Sequence, residues 1–219
     1  MISTEQKIVT GGAGAVLALL VLMVLFGNDT KITPPNALAT PVERAPWSTG
    51  TGKELATLTE YGDFQCPACA AYEPVVQQLR KDYGDKLAFV YRQYPLYTIH
   101  PHALAAAYAS EAAGLQNKFW DMHDILFAKQ DGWAKSSNAA TLFEGYATEL
   151  KLDMDKFKTD VVSSAVQGAA SYDYAEGEKL GVNSTPTFYL NNEKVVNPGS
   201  GEGFKALIDA ALKKPAVKK

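Results

Sequence analysis

The sequence predicts an α/β domain interrupted by an all-helical insertion and preceded by one N-terminal transmembrane helix. Three observations carry that expectation. Two apolar stretches, Leu55–Tyr61 and Lys86–Tyr94, read as strands and enclose a run of helix formers, Ala70–Tyr83. From His100 to Leu180 the pattern is helical for about 80 residues without a strand. Near the N-terminus, the 19 residues Ile8–Phe26 carry no charge, which as a helix matches the thickness of a bilayer core.

The first element is that apolar run. Residues 1–7 are short and polar and are expected on the cytoplasmic side, because Lys7 and the N-terminus precede the span while Asp29 and Lys31 nearly cancel after it. Uncleaved anchoring is the expectation. The alternative is a cleaved signal peptide, since Ala37-Leu38-Ala39 forms an A-x-A site, although far beyond the apolar run. Residues 27–51 read as an extended linker with Pro34, Pro35, Pro41 and Pro46, and Trp47 is a candidate to dock on the domain that follows.

The domain is expected over 52–212. Its first strand leads into a helix with Pro67 at the first position, Pro74 inside and Gly84 as terminator. The Lys86–Tyr94 strand is apolar on both faces, as a central strand should be. A strand, helix and strand at this spacing imply a parallel pair. The insertion, about 100–180, divides into Pro101–Leu115, Asn117–Gln130, a helix capped by Ser136 or Ser137, Met154–Gln167 capped by Asp153, and Ala169–Leu180. Thr187–Leu190 and Glu193–Val196 flank the Asn191-Asn192 turn as a hairpin. Phe204–Leu212 is the last helix, and 213–219 is a basic tail.

Net charge is −3 and no basic patch stands out, so nucleic acid is not an expected partner. Chemistry concentrates in Glu60-Tyr-Gly-Asp-Phe-Gln-Cys66-Pro67-Ala68-Cys69, which holds both cysteines of the chain. The pair lies where a strand turns into a helix. Unpaired N–H groups there stabilise a thiolate, so Cys66 should have a lowered pKa and be the exposed thiol. Cys69, one turn in, should be buried and resolve a mixed disulfide. A zinc site would need four ligands, and His100, His102 and His123 do not supply a second pair, so no metal is expected. An inert disulfide would close too small a loop to constrain the unfolded chain much.

These residues carry a resemblance. The stretch Glu60–Cys69, followed by Tyr72-Glu73-Pro74, resembles the DsbA-like branch of the thioredoxin superfamily, and Ser184-Thr185-Pro186-Thr187-Phe188 is similar to that family's substrate-binding loop. The resemblance covers about residues 50–212 and implies a thioredoxin-like fold with its helical insertion. It implies that Cys66 and Cys69 are catalytic and that Pro186 is cis and faces them. Thr185 would then offer backbone groups to an extended substrate. It places a buried acid at Glu60, where the residues alone leave a partly solvated strand-end carboxylate equally open. Pro67 and Ala68 tune the centre. Ala68 stands where some members have histidine, which removes one positive charge beside Cys66.

The residues and the resemblance together point to a membrane-anchored thiol–disulfide oxidoreductase, needing no organic cofactor, that oxidises newly exported proteins outside the cytosol. A quinone-linked oxidase of the DsbB or VKOR type would reoxidise it. The rivals are a disulfide isomerase or reductase, and a peptide-binding chaperone module with an idle disulfide. Asp63 reads as a solvated turn residue, His100 and His102 as surface loop residues, and His123 as a packing or capping residue.

Overall fold

A computed structural model of the protein describes residues 47–51 and 53–213. The apolar run Ile8–Phe26, most of the linker and the end of the basic tail lie outside the described residues. Among the described residues, no helix is long and apolar enough to cross a membrane.

Among the described residues, five strands build one sheet in the order β1-β3-β2-β4-β5. Strand β1 is Trp47–Ser48, β2 is Ala56–Gly62, β3 is Leu87–Gln93, β4 is Thr187–Leu190 and β5 is Glu193–Lys194. β2 and β3 run parallel and are joined by helix α1, Pro67–Tyr83, whereas β1, β4 and β5 pair antiparallel. The register sets Glu60 of β2 between Tyr91 of β3 and Phe188 of β4. β3 is buried along almost its whole length, as a strand covered on both faces should be.

The sheet starts inside the stretch assigned to linker. Trp47 pairs with Tyr91, stacks on Phe119 at 4.7 Å and donates its indole N–H to Glu111 at 3.0 Å. Buried aromatic area plus a satisfied N–H holds this strand down, although it is only two residues long. The final hairpin is shorter than expected, because β5 ends at Lys194.

The helical insertion lies between β3 and β4. It comprises α2 (Ala103–Gly114), α3 (Phe119–Ala128), α4 (Gln130–Trp133), α5 (Ala139–Glu149), α6 (Met154–Val161) and α7 (Ser164–Lys179). Several boundaries differ from the sequence expectation, and local capping explains two of them. The single helix expected over Met154–Gln167 is two, because the Ser163 hydroxyl accepts the Val166 N–H and starts α7. Asp153 caps α6 through Lys156 N–H as expected. Asn138, rather than either serine, precedes α5. Ser200 caps the last helix, α8 (Gly201–Leu212), three residues before its expected start.

Two contacts seat these helices on the sheet. Asp173 of α7 is fully buried and binds the Arg92 guanidinium at 2.6 Å and the Gln93 N–H at 3.1 Å, fixing α7 to the end of β3. Phe204 of α8 packs its ring against Tyr72 of α1 and Phe188 of β4, placing α8 beside the active helix.

Candidate active site

The site grows from the junction of β2 and α1. β2 ends at Gly62 and α1 begins at Pro67, so four residues make the turn. Cys66 is the N-cap of α1, with extended dihedrals (φ −71°, ψ 121°), and Pro67 sits at the first helical position, where its missing N–H costs nothing. α1 continues as helix through Pro74 to Tyr83. Gly84, in a left-handed conformation (φ +48°), ends it.

Both cysteines are free thiols. Their environments differ in the sense that separates nucleophile from resolving group. The Cys66 thiol is lowered from its ordinary range to about 5, first by a hydrogen bond from the Cys69 thiol and then by donors that include the Cys69 and Ala68 N–H groups, with burial opposing. Hydrogen bonds thus do what a neighbouring positive charge would do, and Ala68 does not prevent it. The Cys69 thiol is pushed well up, foremost by burial. One expectation needs correction. Cys66 is recessed, at 6 % exposure against 1 % for Cys69, while Pro67 and Ala68 are the exposed residues of the motif.

The cover over Cys66 comes from the far end of the chain. The Thr185–Pro186 bond is cis. The Thr185 carbonyl oxygen lies 3.4 Å from Cys66 Sγ, and Pro186 is buried. Asn197 donates its side-chain N–H to the Pro186 carbonyl at 2.7 Å, and Thr187 Oγ1 donates to the Ser184 carbonyl at 2.8 Å, so the loop is fixed on both sides of the proline.

Glu60 lies beneath the cysteines at 1 % exposure, which selects the buried reading of this residue. Burial raises its pKa well above the carboxylate range, with Glu73 adding to the rise and a hydrogen bond with Cys69 opposing it. The carboxyl is thus biased to its neutral form beside the Cys69 sulfur. Glu73, one turn beyond Cys69 on α1, is a second buried acid whose pKa burial raises. The pairing of an i residue with its i+4 neighbour could have flagged it. Among the described residues, Glu73, His123 and Asp124 bring three possible metal-ligand atoms within 4.8 Å of one another. His123 Nδ1 is 2.9 Å from Asp124 and Gln77 donates to Glu73 at 2.9 Å, while Glu73 Oε2 and His123 Nε2 are buried without a hydrogen-bond partner. Neither cysteine belongs to this group. His123 itself is fully buried among Phe64, Tyr91, Phe127 and Trp120, a packing histidine.

Two residues read as solvated are part of the site's frame. Asp63 is 1 % exposed, and its carboxylate pairs with His100 Nδ1 at 2.6 Å. Gln65 and Gln130, which carried no signal in the sequence, hold the turn as well. Gln65 donates to the Ala134 carbonyl at 2.7 Å and accepts the His102 N–H at 2.6 Å. Gln130 donates to the Phe64 and Cys66 carbonyls at 2.7 and 3.0 Å.

A dithiol at a helix N-terminus, a cis-proline loop against the first sulfur and a buried acid behind the second, on a sheet of this order with a helical insertion, define the class. They are the features on which the resemblance to the DsbA-like thiol–disulfide oxidoreductases of the thioredoxin superfamily rests. The chain belongs to the thioredoxin family, whose model matches residues 45–210. Solved structures share the fold. BdbD from Bacillus subtilis superposes with a TM-score of 0.68 at 23% identity, covering 80% of this chain and 99% of that one. A thioredoxin-like oxidoreductase from Silicibacter pomeroyi gives 0.65 at 26% identity over 78% of this chain and 94% of that one. Wolbachia pipientis alpha-DsbA1 gives 0.68 at 21% identity over 78% and 93%. Among curated proteins, one named Na(+)/H(+) antiporter NhaA 3, from Salinispora tropica, is 37% identical over 163 residues, 74% of this chain. This chain spans about a quarter of the length of that relative (24%).

Proposed function

We propose that this protein is a membrane-anchored oxidant of protein thiols, introducing disulfides into exported proteins through Cys66-Pro67-Ala68-Cys69. The observation that carries the reading is the Cys66 thiol, held down to about 5 at the N-terminus of α1 and set 3.4 Å from the Thr185 carbonyl. A stabilised thiolate favours the reduced centre, and a centre that prefers to be reduced oxidises its substrates.

In the oxidised centre, a substrate thiolate attacks Cys66 Sγ. The Cys66–Cys69 bond breaks, its electron pair leaves with Cys69, and that sulfur takes up a proton, for which the neighbouring Glu60 carboxyl is placed. A second substrate thiolate then attacks the substrate sulfur of the mixed disulfide. The substrate disulfide forms and Cys66 leaves as its stabilised thiolate. The Thr185 carbonyl and the Pro186 loop form the edge against which the extended substrate lies. A quinone-linked oxidase of the DsbB or VKOR type takes the two electrons from the dithiol and restores the disulfide.

The anchor rests on the uncharged run Ile8–Phe26 and sets the catalytic domain outside the cytosol, where disulfides persist. A Mycolicibacterium gilvum protein named as an antiporter matches over 205 residues, 90% of this chain. Ion transport is not part of the proposal, because only 32% of that protein is matched.

Equilibration of the centre with glutathione redox buffers tests the function. The expected potential lies toward that of DsbA, roughly −120 mV. A value near that of thioredoxin, roughly −270 mV, would make the protein a reductase. Absence of reversible exchange would leave a peptide-binding module. N-terminal sequencing of the mature chain tests the anchor, and a start at Thr40 would sink it.

A further inference from the structure

Four polar groups of one residue converge on the redox turn. Asp63 Oδ1 accepts the Gln65 N–H at 2.8 Å. Its Oδ2 accepts the Leu96 N–H at 2.9 Å and pairs with His100 Nδ1 at 2.6 Å. The Asp63 carbonyl accepts the Cys66 N–H at 3.0 Å, and the Asp63 N–H points at Cys69 Sγ from 3.5 Å. A carboxylate at 1 % exposure with three donors is satisfied and immobile, and it fixes the peptide plane to which its own N–H belongs.

That N–H matters because of what else surrounds Cys69. Burial, Cys66 and Glu60 all disfavour its thiolate, and the Asp63 N–H is an interaction in the opposite sense. Yet Cys69 must ionise whenever it attacks a mixed disulfide at Cys66. His100 is the side-chain partner of Asp63. It follows the loop Leu96–Ile99 and keeps only 17% side-chain exposure, although Ile99 beside it is 69% exposed.

From this geometry we propose that Asp63 and His100 are positioning residues for the resolving step: His100 locks the Asp63 carboxylate, and Asp63 aims its N–H at Cys69 to stabilise the attacking thiolate. The proposal rests on the redox reading of the site. With glutathione as the partner, the step is balanced as follows. Cys69 gives up its proton to solvent and attacks Cys66 Sγ of the Cys66–glutathione disulfide. The Cys66–Cys69 bond forms, the Cys66–glutathione bond breaks, and glutathione leaves with the electron pair as a thiolate.

The test oxidises the reduced full-length protein with glutathione disulfide and follows both steps by acid quench and mass spectrometry. His100→Phe keeps the bulk and removes the donor; His100→Asn returns an N–H near the place of Nδ1. In His100→Phe, formation of the Cys66–glutathione adduct keeps its rate and its pH profile, while conversion to the Cys66–Cys69 disulfide slows about tenfold, the scale of one hydrogen bond to a charged group. His100→Asn restores most of that loss. Circular dichroism confirms that each variant is folded. Unchanged resolution in His100→Phe, or equal slowing of both steps, overturns the positioning role while leaving the redox centre intact. Wild-type protein that forms no adduct at all overturns the redox reading and this inference with it.

Discussion

The Sγ of Cys66 lies 3.4 Å from the carbonyl oxygen of Thr185, although 119 residues separate them in the chain. The helix terminus supplies the reactive sulfur, and the proline loop supplies the polar edge beside it. Neither segment makes a site alone. On the proposed function, a substrate that reaches the sulfur would lie along the loop, so that thiol chemistry and peptide recognition share one surface.

The lowered Cys66 thiol has a direct consequence for reactivity. Its rate of alkylation by iodoacetamide should rise through a midpoint near pH 5 rather than in the ordinary range near 9. A midpoint above about 8 would show that the hydrogen bonds at the α1 terminus do not stabilise the thiolate.

The same group makes stability depend on pH. Its folded pKa is depressed, so the unfolded chain binds more protons between about 5 and 9. The contribution is fully present above 9, declines as pH falls, and is lost below 5. Melting temperature of the reduced protein should therefore climb from pH 5 toward 9 relative to Cys66→Ser, which lacks the group. Parallel curves for the two proteins would contradict this.

Glu60 carries the opposite sign. Its folded pKa is raised above 4.5, so the folded state holds the extra proton and stability falls as pH rises above that value. Glu60→Gln keeps the shape and removes the titration. Compared with wild type, the variant should lose less stability between pH 4.5 and neutrality, with slower proton-coupled turnover of Cys69. A steeper loss in the variant would place the carboxylate in a site that welcomes its charge.

The two thiols should separate cleanly in trapping experiments. In the proposed mechanism Cys66 attacks and is attacked, whereas Cys69 is the more deeply buried thiol, set against Glu60. Cys69→Ser should accumulate mixed disulfides with substrate proteins, and Cys66→Ser should not. Equal trapping by both variants, read on non-reducing gels, would undo the assignment.

Gly114 on α2 tests the strand that opens the sheet. A Cβ there would stand 2.2 Å from the Trp47 indole, which is stacked on Phe119 and cannot yield cheaply. Overpacking costs about 1–3 kcal/mol, against a gain of about 1 kcal/mol from replacing glycine in a helix. Gly114→Ala should thus lose up to about 2 kcal/mol in denaturant unfolding, with altered Trp fluorescence. Unchanged stability and fluorescence would mean that Trp47 is not seated on α2.

The sequence by itself determined whatever is local. Alternation over 55–61 and 86–94, Pro67 after Cys66, and Gly84 after Tyr83 set the strand–turn–helix–strand unit and put the dithiol at a helix N-terminus. Each of those signals lies within a few residues of the element it makes. The insertion was legible as helix, but its break at Ser163 follows a capping hydrogen bond that periodicity does not carry. Tertiary structure alone decided the rest. Asp63 looks like any polar turn residue until Leu96 and His100, the latter 37 positions on, fold over it and bury its charge against donors. Gln65 and Gln130 become braces only where the insertion meets the turn. Glu60 could face water or protein, and its place in a central strand, beneath the buried Cys69 and Glu73 of the packed helix α1, settled it by leaving no room for solvent. Burial is a property of what converges on a residue, and convergence over tens to more than a hundred residues is written in no single stretch of the chain.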